Sequence, residues 1–222
     1  GLDYAFVISG FDYLNSLESF RNGLFYVQDV SSMMVAEYAK PEHGDHVIDV
    51  CAAPGGKSTH IAELLNGSGF VEARDLTDYK VSLIEENIKR HGLSNMGAVC
   101  MDATVFDEAS VEKADILICD LPCSGLGVLG RKKDIRYQMT EQSLDGLAEL
   151  QKEILDTVHT YVRKGKKLIY STCTMNPAEN EENVRWFINR YPEFELETSK
   201  QMFPKEIGND GFFIAVLKRN GR

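Results

Sequence analysis

The 222-residue chain carries 24 Lys and Arg against 34 Asp and Glu, a net charge of −10, with 43% hydrophobic and 26% charged residues. Those proportions are ordinary for a globular protein, the length suits one α/β domain with a sizeable core, and no apolar run approaches the ~20 residues of a membrane helix. Residues 1–20 hold Asp3, Asp12 and Glu18 where a secretory signal has a basic region and an unbroken apolar stretch, and five cysteines, an odd number, argue for reduced thiols; a cytoplasmic protein is expected.

In chain order, residues 1–30 show weak periodicity and several aromatics, and read as a partly extended lead-in to a domain over 31–222. Ser31 and Ser32 precede a helix of about two turns that stops at Pro41. Val47, Ile48 and Val50 form a short apolar run that breaks at Pro54, Gly55 and Gly56 before helical spacing resumes, which reads as strand, glycine turn, helix. Glycines let backbone approach a ligand, and the helix behind them points free N–H groups at it, so a nucleotide-like cofactor is the natural occupant. GlyLysSer at 56–58 is also how a P-loop ends, but GxxxxGK[ST] needs glycine at 51, where Cys51 stands, and Pro54 stiffens the turn; nucleoside triphosphate binding is disfavoured, while a plain βα turn stays open.

Beyond a turn at 66–69, a strand over 70–75 ends in Asp75, and Thr77 caps a helix over 78–91 with Val81, Ile84 and Ile88 on one face. Strands over 96–101 and 114–119 end at Asp102 and Asp120. The loop 121–127 leads into the basic cluster of Arg131, Lys132, Lys133 and Arg136, then a helix over 143–162 with a stripe of Leu144, Leu147, Ala148, Ile154, Leu155, Val158 and Val162. ArgLysGlyLysLys at 163–167 reads as a solvated turn before a strand over 166–172 that ends at Cys173. Asn176 as cap, Pro177 at the first helical position and Glu179 begin a helix to about Arg190, and strands at 194–197 and 212–217 close the chain.

Strands alternating with helices specify an α/β fold, a doubly wound, mostly parallel seven-stranded sheet with helices on both faces and ligands at the carboxyl ends of the strands. That rule puts Asp75, Asp102, Asp120, Cys123 and Cys173 on the functional edge. Cys100 and Cys119 fall inside strands, as buried and unreactive thiols, and Cys51 is intermediate. One aspartate at a strand end is as readily a turn residue, but three at successive ends suit a ribose and an adenine. Net acidity argues against nucleic acid, whereas the cluster at 131–136, beside a glycine-rich loop, argues for it. No metal is expected, since Cys119 and Cys123 are not spaced as CxxC and the five histidines show no ligand spacing.

CysAlaAlaProGlyGlyLys at 51–57, AspLeuProCysSerGlyLeuGly at 120–127 and the run 170–184 around ThrCysThr and AsnProAlaGluAsnGlu resemble signature motifs of the NOL/NOP/Sun family of RNA (cytosine-5) methyltransferases. The likeness is greatest to its bacterial Sun/Fmu branch, which modifies small-subunit ribosomal RNA, and runs from about Gly23 to Lys218. It implies a Rossmann-like domain using S-adenosylmethionine, cradled by Cys51, Ala52, Ala53, Pro54, Gly55, Gly56 and Lys57, with the ribose at Asp75, the adenine near Asp102 and Asp120 in the catalytic motif. It further implies an RNA partner, with Arg131, Lys132, Lys133 and Arg136 on its phosphates, and a separate N-terminal RNA-binding domain that is not in this chain. Two departures are minor: Lys80 stands where the family usually has arginine, and the serine usual after the second cysteine is missing.

Two thiols suit that chemistry. Carbon 5 of cytosine is a poor nucleophile until a thiolate adds at carbon 6. By resemblance Cys173 is this nucleophile, its position ahead of the capped helix start at 177 offering a means of lowering its pKa. Asp120 is expected near ring nitrogen 3, and Cys123 to act in releasing the methylated base. A methyltransferase of another substrate class would keep the glycine turn and Asp75 without needing paired thiols, and a non-catalytic RNA-binding module would tolerate loss of Cys173.

Overall fold

Seven strands form one sheet: β1 (His46–Asp49), β2 (Phe70–Asp75), β3 (Met96–Cys100), β4 (Ala114–Asp120), β5 (Val162–Thr172), β6 (Phe194–Met202) and β7 (Phe212–Arg219), in the order β3-β2-β1-β4-β5-β7-β6. The computed structural model describes residues 2–204 and 209–221, except for the side chains of Arg136 and Gln138. β1 to β5 pair in parallel, and β7 lies antiparallel between β5 and β6. The strand order reverses on either side of β1, so the crevice past the ends of β1 and β4 is the switch point at which such sheets take ligands.

Successive residues of β4 point to opposite faces, which makes a three-layer core. Ile116 and Ile118 pack with Val35, Ile61 and Ile84 from α1 (Val30–Ala39), α2 (Gly56–Leu64) and α3 (Asp78–His91). Leu117 and Cys119 pack with Ile154, Leu155, Val184 and Phe187 from α4 (Glu141–Val158) and α5 (Glu181–Arg190). Side chains of this size, fully enclosed, each contribute about 2 kcal/mol of hydrophobic stabilisation. No helix among the described residues is long and apolar enough to cross a membrane.

Local chemistry shifts several boundaries. Asp29, not a serine, caps α1: its carboxylate accepts from Ser31 N at 2.9 Å, and the helix starts at Val30. Thr140 and Ser143 cap each other's turn, so α4 starts at Glu141; it ends at Val158, and a 3-10 turn over His159–Tyr161 delivers Val162 into β5. Residues 163–167 are therefore counted within β5, with 163–165 exposed as expected. Arg163 and Lys166 pair with Asp115 at 3.0 and 3.3 Å, Lys166 also meets Asp45 at 3.2 Å, and the β4–β5 register slips between Ala114 and Ile116. Asn176 caps a three-residue 3-10 turn at Pro177–Glu179, and α5 begins only at Glu181. Cys119 is buried as expected, but Cys100 is exposed, because it ends the edge strand β3; its Sγ lies 3.5 Å from Leu76 O.

Candidate active site

After β1 the chain turns back over the strand ends. Val50 N donates to Ile118 O at 3.1 Å and Ala52 N to Arg74 O at 2.8 Å, which fastens the turn to β4 and β2. Gly55 takes φ of +103°, a region open to glycine, and the first turn of α2 has no side-chain cap. A Cβ on Gly56 would meet nothing within 4 Å, so this mouth is open to a ligand.

Asp75 ends β2 beside the turn and is buried. Its Oδ2 accepts from Ala53 N at 2.9 Å, its Oδ1 from Leu76 N at 2.8 Å, and Lys80 Nζ lies 3.0 Å from Oδ1. Asp102 Oδ1 accepts from Thr104 Oγ1 and N, which holds its carboxyl below the ordinary range. Burial pushes the Cys51 thiol well up, and the negative charges of Asp49, Asp75 and Asp120 add to the shift. A field of that sign suits a sulfonium cation, and uncapped helix N–H groups suit a carboxylate, so the residues present fit S-adenosylmethionine.

Lys57, at the start of α2, reaches the end of β4. Its Nζ lies 2.6 Å from Asp120 Oδ2 and 5.7 Å from the Phe212 ring centroid. Burial opposes its charge, but Asp120, Asp49 and Cys173 outweigh burial and raise its pKa. Beneath this pair, Asp49 is 1% exposed and accepts from Ser58 Oγ at 2.5 Å. Burial raises the Asp49 carboxyl to about 7; the Ser58 bond opposes this and Asp120 adds to it.

The two cysteines leave neighbouring parallel strands. Asp120 and Ser171 are register partners, Ser171 Oγ donates to Asp120 Oδ1 at 2.7 Å, and Leu121 N donates to Ser171 O at 3.1 Å. Cys123 Sγ thus stands 3.1 Å from Cys173 Sγ and accepts from Cys173 N at 3.3 Å. The Cys123 thiol lowers the Cys173 pKa, against burial and Asp120 and with help from Lys57, while the same contact and burial hold Cys123 well above its ordinary value. The expected device, a helix start at 177, is replaced by this thiol–thiol hydrogen bond, because only a short 3-10 turn begins there. Gly127 ties the loop after β4 to its neighbours: its N donates to Cys173 O at 3.0 Å and its O accepts from Gly211 N at 2.9 Å.

Cys51 to Lys57, Asp75, Asp120, Cys123 and Cys173 thus come together at one edge of the sheet. In the basic cluster Arg131, Lys132 and Lys133 are exposed, and Arg131 bridges Asp29 and Asp210, joining three segments; the Arg136 side chain lies outside the described residues. Sequence reasoning missed Asp49, the Lys57–Asp120 pair and two buried polar residues, Gln151 and Glu179. Their signals were an aspartate interrupting the apolar run 47–50 and a glutamine interrupting the stripe of α4.

A seven-stranded mixed sheet with an antiparallel β7, a glycine turn after β1 and a carboxylate ending β2 define the class of S-adenosylmethionine-dependent methyltransferases. Within it, the chain belongs to the family described as 16S rRNA methyltransferase RsmB/F, which matches residues 36–218. It is 41% identical to the probable ribosomal RNA small subunit methyltransferase B of Bacillus subtilis (strain 168), over 91% of this chain and 49% of that protein. It is 34% identical to the tRNA (cytosine(72)-C(5))-methyltransferase of Pyrococcus horikoshii, over 93% of this chain and 55% of the relative. The structure of NSun6 from Pyrococcus horikoshii with SFG superposes with a TM-score of 0.87 at 34% identity, covering 96% of this chain and 57% of that one. The chain therefore spans about half the length of the curated relatives it matches. S-Adenosylmethionine is the cofactor of this family and fold.

Proposed function

We propose that this domain methylates carbon 5 of a cytosine in RNA, with small-subunit ribosomal RNA as substrate and Cys173 as covalent nucleophile. The observation that carries the reading is the thiol pair: two sulfurs 3.1 Å apart at the ends of neighbouring parallel strands, beside the turn that follows β1. Residues 51–57 hold the methionine end of the cofactor, Asp75 the ribose and Asp102 the adenine side. When bound, S-adenosylmethionine supplies the methyl group.

The residues of the chain do the rest. The Cys173 thiolate adds to carbon 6, a carbon–sulfur bond forms, and the electron pair of the 5,6 double bond moves onto carbon 5, which takes the methyl group. Lys57 and Asp120, hydrogen-bonded to each other, face the base and fix its polar edge. Once Cys173 has spent its charge in that bond, the main influence raising the Cys123 pKa is gone. Cys123 then sheds its proton to solvent, takes the proton from carbon 5, and the returning electron pair re-forms the double bond and expels Cys173. Lys132, Lys133 and Arg136 contact phosphates, with Arg131 ordering their loop.

The test separates the two thiols. Cys173→Ala binds cofactor and RNA but yields neither product nor cross-link, whereas Cys123→Ala methylates and then stays joined to RNA on a denaturing gel. The reverse pattern would make Cys123 the nucleophile, and full activity in both variants would end the covalent reading. Bisulfite mapping of ribosomal and transfer RNA after reaction decides the substrate, a choice made necessary by the relative named for position 72 of tRNA.

A further inference from the structure

Next to the reacting sulfurs one carboxylate is wholly enclosed: Glu179, 0% exposed, in the turn that follows ThrCysThr. Among the described residues no cation pairs with it. A buried carboxylate in that setting persists only where hydrogen bonds fill its acceptor sites. Here Oε2 accepts from Ser124 N at 2.8 Å and from Gln151 Nε2 at 3.2 Å, and Oε1 accepts from Ser124 Oγ at 2.6 Å and from Asn176 Nδ2 at 3.0 Å.

These donors come from three places. Ser124 adjoins Cys123, and its hydroxyl also meets Thr174 Oγ1, next to Cys173, at 2.7 Å. Gln151, fully buried on α4, donates a second bond to Pro122 O at 2.8 Å, and its Oε1 accepts from Tyr170 Oη at 3.0 Å and Asn183 Nδ2 at 2.8 Å. Glu179 is therefore the common acceptor of the loop after β4, the turn after β5 and a helix braced on both.

We propose that Glu179 is the positioning residue of the thiol pair: by holding Ser124 and Asn176 on one carboxylate and Gln151 against Pro122, it fixes the ProCysSer loop against the ThrCysThr turn and sets Cys123 Sγ beside Cys173 Sγ. Its catalytic meaning rests on Cys173 being the nucleophile. Its physical content does not, because the thiol contact and the bonds that set it lie wholly within this chain. Glutamine at this site has nearly the same shape but presents an NH2 group to donors that need an acceptor.

The experiment follows iodoacetamide alkylation of Cys173 against pH, mapped by mass spectrometry on RNA-free protein, with S-adenosylmethionine affinity as the check on folding. In the wild type Cys173 alkylates at lower pH than an ordinary thiol. In Glu179→Gln the profile moves up towards that of an ordinary thiol, alkylation at neutral pH slows several-fold, and cofactor affinity holds. Ser124→Ala, which removes a single hydroxyl from the carboxylate, moves the profile the same way by less, and it decides the matter if Glu179→Gln does not fold. In steady-state methylation kcat falls while KM for RNA changes little. An unmoved alkylation profile in the folded variants would overturn the proposal. A moved profile with undiminished methyl transfer would uphold the positioning role and instead refute the assignment of Cys173 as nucleophile.

Discussion

Replacing Gly127 by alanine tests how far the close backbone contact beside Cys173 can yield. A Cβ at this position would lie 2.0 Å from Gly211 O and 2.8 Å from Cys173 O, and both are backbone atoms that no rotamer change can move. Ordinary contact starts at 3.4 Å, so the segments must part by more than about 1 Å. The Gly127–Cys173 and Gly211–Gly127 hydrogen bonds cannot survive that separation. Two lost bonds at about 1 kcal/mol each, with buried groups left unpaired, put the expected destabilisation at roughly 2–4 kcal/mol. The effect on rate is larger in proportion, since the carbonyl that moves belongs to Cys173, and a misplacement of about 1 Å costs on the order of a hundredfold. Urea unfolding gives the first quantity and methyl transfer under saturating cofactor gives the second. Gly130→Ala, where a Cβ would meet nothing within 4 Å, is the control and is expected to stay within about 0.5 kcal/mol of wild type. A Gly127→Ala protein with wild-type stability and rate would refute the steric argument.

Asp75→Ala should weaken S-adenosylmethionine binding at least about tenfold by calorimetry, since the loss of one good hydrogen-bonded carboxylate is of that size; unchanged affinity would remove Asp75 from the cofactor site. Neutralising Lys132 is expected to flatten the salt dependence of RNA binding without touching thermal stability, whereas Arg131→Ala, which breaks the bridge between Asp29 and Asp210, should lower the melting temperature as well. The Asp49 carboxyl rises from 3.8 to about 7 on folding, so its contribution to stability is complete below about pH 4 and is lost as pH rises through about 7. Asp49→Asn should therefore shrink the fall in urea midpoint across that window, and an identical fall in both proteins would show that the carboxyl is not buried as described.

Much of this architecture was legible because the local signals agree with the global fold. The apolar runs at 47–50, 70–75 and 114–119, the Thr77 cap and the Gly92 end of α3 all say in sequence what they do in space. Where reading failed, the deciding partner lay far along the chain. Arg163 and Lys166 look unpaired until Asp45 and Asp115, from the start of β1 and β4, are brought beside them. Cys100 looks buried until β3 is found at the sheet edge, a matter of strand order that no periodicity encodes. The placement of Asp120, Cys123 and Cys173 followed from the rule of strand ends, but the contact between the thiols depends on the β4–β5 register and on a glutamate that looked like part of a helix start.

The position of β7 bears on how the domain comes into being during synthesis. β1 to β4, with the glycine turn after β1, pair among themselves as soon as residue 120 is available, and they carry the turn proposed above to hold the cofactor. β5 and β6 instead wait for a strand made after both of them, because β7 inserts between them and Thr172 pairs with Phe213. Until then β5, which leads into Cys173, has an open edge. A nascent chain therefore pairs β1 to β4 first and completes the surroundings of Cys173 last, so a product truncated before residue 212 would leave β5 as an exposed, aggregation-prone edge strand.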